Sequence, residues 1–530
     1  MPKGRKHPPA QRGRKVPVKL REPFPGKIRL GYLLLGFYAI TAFSLRNDGI
    51  FVDEGAALDL GSQILKGFVL YRDLFHHHMP LPVYLAAAIT SITGPSLPME
   101  RFAIFLLDLI VFVLVFSAGA APLATGFAAA VWALISPYYL GNMLLYDHLT
   151  MLGGLVLGVL AFSALARGLP PSPLLFAMLA SASAVVCLSN PFFVFTAFFA
   201  TGSLFFAHQI PRSFVLKLWL TIGGVLVCYG AYLAATGSLS AFYEDVVVFN
   251  TTTYQRFSPW NMAYASKNQL QLLHLFNPVW FRSLDPFRFN TDALSSSAFD
   301  EWIFSGLYFR IVALCVCLIF VWRRNYKTAL FLLTFEATVS LRGEQGFHAS
   351  PFVVFSLFLG GVCIEECTLL KGKARVALIA LSCLSPLLMS VSGSRYLVRH
   401  AFRSDSATEG LLYRASLIQE AAQNRQDVKL GQFPAGNYMY YLTGLAPFTR
   451  FVYYYPWVAV TGKAGMDWDL SHQPPEAKLL LILDIDGNVW GMPNSETLRD
   501  EIAWAKANLV TETFSGMTVF ASPSVAFRGN

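Results

Sequence analysis

Leu30–Leu45, LGYLLLGFYAITAFSL, runs without a charge and is followed, after Arg46, by Asn47–Tyr84, NDGIFVDEGAALDLGSQILKGFVLYRDLFHHHMPLPVY. The first stretch has the apolar character of a membrane span. The second opens with adjacent acids, Asp53 and Glu54, and then reads as a short amphipathic helix, Gly55–Lys66, with Ala56, Leu60 and Ile64 on one face. A polar strip follows, Tyr71-Arg72-Asp73 and His76-His77-His78, ending in Pro80-Leu81-Pro82. Charge at a membrane surface is ordinary, but an acidic pair tied to a helix lying on the bilayer needs a reason. The segment 46–80 is therefore the first candidate site, on the outer face.

The rest of the chain sets this segment in lipid. Of 530 residues, 55% are hydrophobic and only 14% charged, which excludes an ordinary soluble protein of this size. Successive long apolar runs read as a polytopic helical membrane protein. The formal net charge is +9, and residues 1–29 alone carry ten Lys and Arg against one Glu, so the remainder is neutral. This basic segment reads as a disordered cytoplasmic tail able to touch anionic lipid. It lacks the interleaved aromatic residues of a nucleic-acid binder, and no nucleic acid is expected as a partner. The seven cysteines lie in or beside apolar runs and imply no disulfide framework. The pair Cys363 and Cys367 lacks a second ligand pair and reads as packing rather than zinc.

After Leu30–Leu45, read as an uncleaved anchor, apolar runs recur at Leu81–Thr93, Phe102–Ser117, Ala121–Ser136, Leu149–Leu165, Leu174–Leu188, Phe192–Ala207, Phe214–Ala235, Ile303–Trp322, Ala329–Leu341, Pro351–Leu370 and Val376–Val391. If all cross, the positive loops fall on both sides. Leu81–Thr93 is short of the ~20 residues a span needs. If it lies on the outer face, Arg167, Arg212 with Lys217, Arg323-Arg324 with Lys327, and Lys371/Lys373/Arg375 all fall inside. About 11 spans then remain, with the N-terminus cytoplasmic. Four polar patches face outward together: the first loop, Tyr138–His148, a long loop at roughly 236–302, and Arg342–Ser350. The tail 394–530 is outside as well. Its expected helices are Thr408–Asn424 and Ser495–Asn508. Its expected strands are Val428–Phe433, Arg450–Tyr455, Lys478–Leu483 and Met517–Ala521. Together they make a small α/β extracytoplasmic domain behind a transmembrane domain of residues 30–393.

Several groups could carry chemistry. A carboxylate at the lipid boundary, such as Asp53, can act as a general base toward a hydroxyl or amine; the plain alternative is a solvated pair ending a span. Asp147-His148 begins another span on the same face, where an acid could meet an acceptor or a metal, or simply favour the helix dipole. Arg342, Glu344 and His348 place a guanidinium beside an imidazole, which suits a phosphate. A snorkelling arginine is the alternative. Arg72 and Asp73 could pair with each other or orient a substrate. Three adjacent histidines on one loop rarely ligate one ion, so an exposed polar loop, or contact with a lipid phosphate, fits His76–His78 better than a metal. Asp108 and Glu336 lie inside spans, where an acid is functional by default. Asp484-Ile485-Asp486-Gly487 reads as a turn at a strand end. No P-loop or dinucleotide motif appears.

Taken together, the DE after span one, the YRDxF…PxPxY stretch, the Asp at the next outer loop and the Arg…His before a late span resemble the membrane-embedded GT-C glycosyltransferases. The likeness is to family 39-like enzymes, among them protein O-mannosyltransferases and the lipid A aminoarabinose transferase. It implies a GT-C-like fold over residues 30–393. It implies a polyprenyl-phosphate-linked sugar donor, an envelope lipid, glycan or protein acceptor, and inverting transfer at the outer face of a bacterial inner membrane. It makes Asp53 the base and Glu54 its support or acceptor contact. Asp147, His148, Arg72 and Asp73 would bind acceptor or assist, and Arg342, His348 and His78 would hold the donor phosphate. Many relatives carry a Lys or another polar residue before the Pro pair, where this chain has His76–His78 and Met79. A divalent metal ion stays open as a cofactor. The competing reading is a polytopic transporter or flippase of lipid-linked sugars, which would show mid-membrane charges and repeat symmetry.

Overall fold

A computed structural model describes residues 25–118, 121–253, 306–340, 346–367, 372–403, 406–422, 427–433, 438–453, 478–483, 488–489, 492–514 and 517–525. The expected turn at Asp484–Gly487, together with Arg342 and Glu344, lies outside them.

The amino-terminal part is helical. In chain order its principal helices are α1 Pro25–Leu45, α2 Val52–Ile64, α3 Leu81–Thr93, α4 Leu97–Ala118, α5 Pro122–Ile135, α6 Tyr146–Arg167, α7 Pro173–Ser189, α8 Val194–Ser203 and α9 Arg212–Ala235. They continue with α10 Gly306–Trp322, α11 Tyr326–Val339, α12 Ser350–Cys367 and α13 Lys373–His400. Among the described residues six helices are long and apolar enough to cross a membrane: α1, α4, α6, α9, α12 and α13. The expected count of eleven includes shorter runs, and the crossing of those runs remains an expectation.

The core forms around α5, α6 and α12, whose buried faces carry Trp132, Phe162, Phe355 and Phe358. Such close packing requires small residues where helices cross. At the α1–α5 crossing a Cβ on Gly126 would stand 2.8 Å from the Gly31 carbonyl oxygen, so only glycine fits.

Two polar clusters mark the two ends of this bundle. At one end Glu365 and Glu366 of α12 gather Lys27, Arg167 and Arg323. Lys27 Nζ donates to the Glu365 carbonyl at 3.3 Å, Arg167 Nη2 meets Glu365 Oε2 at 2.5 Å, and Arg323 pairs with Glu366. Arg167 and Arg323, two of the positive residues expected to share one side, thus meet adjacent acids of one helix. At the other end Arg101, near the start of α4, donates to the Asp48 carbonyl at 3.1 Å and forms a two-pronged ion pair with Glu54 at 2.6 and 3.1 Å. The chain thus leaves α1 and enters α4 at one point, and α2 and α3 close a loop there.

Four expectations need correction. The first helix begins at Pro25, inside the segment read as tail. The last long helix runs on to His400 rather than ending at Val391, with the polar groups of its final turns met by helix carbonyls and by Asp48. Helical turns at Leu239–Phe242 and Tyr243–Thr253 occupy the start of the long loop. Residues 450–453 are not a strand. Phe75 N donates to the Arg450 carbonyl at 2.8 Å, and Arg450 returns a 3.1 Å bond to the Tyr71 carbonyl, so the segment pairs with the loop between α2 and α3 instead of a sheet.

The carboxyl-terminal part carries strands β1 Lys429–Phe433, β2 Ala446–Pro447, β3 Leu479–Leu483, β4 Asn488–Val489, β5 Met492–Pro493, β6 Val510–Phe514 and β7 Met517–Ala521. Five form one sheet in the order β2-β1-β3-β7-β6. β1 pairs parallel with β3 from Lys429 opposite Leu479 to Phe433 opposite Leu483, while β7 runs antiparallel to β3 and β6. The helices Ser406–Ala421 and Arg499–Asn508 accompany it.

Candidate active site

The amino end of α2 is where the two parts of the chain meet. Asp53 stands in the first turn of α2, where aligned backbone N–H groups favour a negative charge. It lines a narrow cavity with Ala56, Ala57, His76, His77, His78, Pro82, Leu144, Tyr146 and Tyr453. The cavity has room for about one water, roughly 20 Å³, so a sugar ring requires its walls to part.

The histidine loop is held from several directions. A tight turn precedes it, with Tyr71 in the left-handed region at φ 68° and its N–H donating to the Leu74 carbonyl at 2.8 Å. The Tyr71 hydroxyl donates to the His78 carbonyl at 2.9 Å, and Asn250 donates to the His77 carbonyl at 2.6 Å. His77 Nδ1 lies 2.8 Å from the Tyr453 hydroxyl. His78 stacks on Tyr146 with ring centroids 4.2 Å apart. Behind the loop, Asp245 Oδ2 accepts from His76 N at 3.4 Å and from Arg450 Nη2 at 2.5 Å. Burial pushes the Asp245 carboxyl up to about 6, against the pull of the Arg450 guanidinium.

Glu54, one residue on from Asp53, points elsewhere. It is wholly buried between Arg101 and the Tyr438 hydroxyl, which donates to its Oε2 at 2.7 Å. That position makes it an anchor of α2 rather than a contact for an acceptor. Asp59, on the same helix, receives Tyr441 N at 2.7 Å, and Gln63 donates to the Leu445 carbonyl at 3.1 Å. One side of α2 is thus strapped by residues 438–445.

Asp147 and His348 are brought together as a hydrogen-bonded pair. The other oxygen of Asp147 accepts from Asn190 Nδ2 at 2.8 Å, and the side chain is fully buried. His148 turns the other way, its Nε2 2.7 Å from Asp108 Oδ1, while the Tyr38 hydroxyl donates to Asp108 Oδ2 at 3.3 Å. The intramembrane acid whose partner the sequence does not reveal is therefore paired. Both acids bind α6 to its neighbours, and neither lines the cavity. Tyr146 links the groups, its ring lying between His78 and His348 with the His348 centroid 5.9 Å away. Arg72 and Asp73 pair with each other at 2.9 Å on the surface, and Arg72 also donates to the Thr236 carbonyl at 3.0 Å. Glu336 is buried. Among the described residues no group of three or more His, Cys, Asp or Glu side chains is arranged to hold a metal ion.

Sequence reasoning did not find Arg101, Asn190, Asp245, Tyr438, Arg450 or Tyr453. Two carried a signal. Asn190-Pro191 opens a helical turn, with Asn190 Oδ1 accepting from Phe192 N at 3.1 Å. The aromatic cluster at 451–457 is dense for a segment outside the apolar runs.

No family model matches the sequence, and no curated protein matches it. Among solved structures, the chain is similar to ArnT from Cupriavidus metallidurans bound to undecaprenyl phosphate, with a TM-score of 0.49, 11% identity, and coverage of 95% of this chain and 99% of that one. It is also similar to ArnT from the same organism in the apo state, with a TM-score of 0.46, 12% identity and the same coverage.

Proposed function

We propose that this chain is an integral membrane glycosyltransferase of the bacterial inner membrane, moving a sugar from a polyprenyl-phosphate donor to an envelope lipid, glycan or protein at the outer face. The observation that carries the reading is the cavity, where a carboxylate at a helix start faces three histidines and two tyrosines beside apolar helices. Such a site can meet an acceptor from one side and a lipid-borne donor from the other.

In this reading Asp53 takes the proton of an acceptor hydroxyl or amine as the freed oxygen or nitrogen attacks the anomeric carbon. The bond from that carbon to the phosphate oxygen breaks, and the polyprenyl phosphate leaves with its electron pair. Cationic and hydrogen-bonding groups must stabilise the leaving phosphate, and Arg342, His78 and His348 are the candidates. Inversion follows from base and leaving group lying on opposite sides of the sugar. The Asp147–His348 contact and the stacking of His78 on Tyr146 support a shared frame for the last two. The eleven-span arrangement, with a cytoplasmic N-terminus and residues 394–530 outside, belongs to the same proposal.

The test is mass spectrometry of envelope glycans in a strain lacking the chain, complemented with wild type or Asp53→Asn at equal membrane levels. Restoration of a missing sugar mass by wild type alone is the expected result. Equal restoration by Asp53→Asn removes the base from the mechanism and favours the transporter reading.

A further inference from the structure

The mechanism above leaves two cavity histidines without a role, His76 and His77. His76 is 5% exposed, and among the described residues neither Nδ1 nor Nε2 has a well-formed hydrogen bond, the nearest polar group being the Met79 backbone. Its neighbours differ. His77 is tied to Tyr453, and His78 is stacked on Tyr146. The His76 ring is set by packing instead, edge-on to His78 with centroids 5.6 Å apart, edge-on to Tyr453 at 6.5 Å and tilted against Tyr71 at 6.2 Å. Its backbone is pinned through Asp245. A buried imidazole held in a fixed orientation without a well-formed hydrogen bond at either nitrogen is costly to keep, and such groups are uncommon outside sites that bind something.

We infer that His76 is a sugar-recognition residue, hydrogen-bonding hydroxyl groups of the saccharide carried by the donor. The inference rests on the donor reading given above and names the part of the donor that this side chain meets. Burial pushes the His76 imidazole down to about 3, so the ring is neutral at physiological pH. A neutral imidazole offers one N–H donor and one lone-pair acceptor. A hydroxyl is likewise both donor and acceptor, so the two match. A phosphate offers only acceptors and calls for a cation, which His76 is prevented from becoming. Of the groups in a prenyl-phosphoryl sugar, the side chain therefore fits the hydroxyls.

The test compares two probes on the purified full-length chain in detergent by titration calorimetry. One is a short-chain prenyl phosphate, and the other is the same prenyl phosphate bearing a hexose or pentose. His76→Phe should weaken the sugar-bearing probe ~10-fold or more, the worth of about one hydrogen bond, and leave the sugar-free probe within about 2-fold. His76→Gln, which keeps a donor and an acceptor, should recover part of the loss. Thermal unfolding of His76→Phe should be no lower than wild type, because an unmet polar group is replaced by an apolar ring. Equal weakening of both probes, or of neither, overturns the assignment. So does a destabilised His76→Phe whose stability, but not affinity, is restored in His76→Gln, since that marks a packing role. If wild type binds neither probe, the donor reading itself falls and this inference goes with it.

Discussion

The Tyr453 hydroxyl lies 2.8 Å from His77 Nδ1, joining two residues separated by most of the chain. Tyr453 also lines the cavity that holds Asp53, so one wall of the candidate site comes from beyond the last long helix. This contact fixes which way the His77 ring faces. Tyr453→Phe should keep the packing and lose the hydrogen bond, at a stability cost of about 1 kcal/mol. Transfer activity in membranes should fall more than that cost explains, by roughly 10-fold. Unchanged activity in Tyr453→Phe would remove the residue from the site.

Glu54 and Arg101 form a wholly buried, two-pronged pair. Removing one partner strands the other charge, so Glu54→Leu or Arg101→Leu alone should cost about 3–5 kcal/mol. The double Leu variant should be more stable than either single one. Thermal unfolding in detergent measures all three, and single variants indistinguishable from wild type would contradict the pairing.

Asp53 and Asp147 should separate stability from activity. Asp147 holds Asn190 and His348, so Asp147→Ala leaves two buried polar groups without that acceptor. A loss of about 2 kcal/mol or more is expected, with reduced membrane levels. Asp53→Asn should retain wild-type levels while abolishing the sugar transfer. Immunoblots set beside glycan mass spectra decide, and equal loss of protein in both would undo the distinction.

Asp245 gives a pH signature. Its carboxyl is raised in the folded chain to about 6, while the unfolded chain releases the same proton near the ordinary carboxylate value. Between those values the folded state binds more protons than the unfolded state, so this group's contribution to stability falls as pH rises and is level above about 6. Asp245→Asn should lack that slope. Thermal midpoints from pH 4 to pH 7 in both chains measure it, and identical slopes would exclude the contribution.

Topology can be read with thiol labels. In a chain whose exposed Cys228 is replaced, Arg72→Cys before α3 and Ser91→Cys near its end should label from the same side, and Pro170→Cys beyond α6 from the other. Labelling of positions 72 and 91 from opposite sides would mean that α3 crosses.

The helices were legible because each apolar run is long enough to state its own conformation. The end of α13 was not, because Ser390, Ser394, Tyr396 and His400 look polar in sequence. In the fold their groups are met by backbone carbonyls and by Asp48. The strand expected at 450–455 failed for the opposite reason. Its run of Phe, Val and Tyr has the β-branched and aromatic character of a strand, yet Arg450 pairs with Tyr71 and Asp245, and no local pattern encodes partners so far away. Asp53 stood out as an acid beside an apolar run. Tyr453 and Asp245 did not, since what places them in or behind the cavity is contact across the chain.

Tyr453 also orders events during synthesis. The amino-terminal helices can enter the bilayer and bring Asp53 to its surface long before residues 438–453 are translated. Until that strap reaches α2, the cavity lacks a wall and His77 lacks the hydroxyl that orients it. A chain cut short after α13 would lack that wall however well its helices had packed, so the cavity is complete only when the chain nearly is.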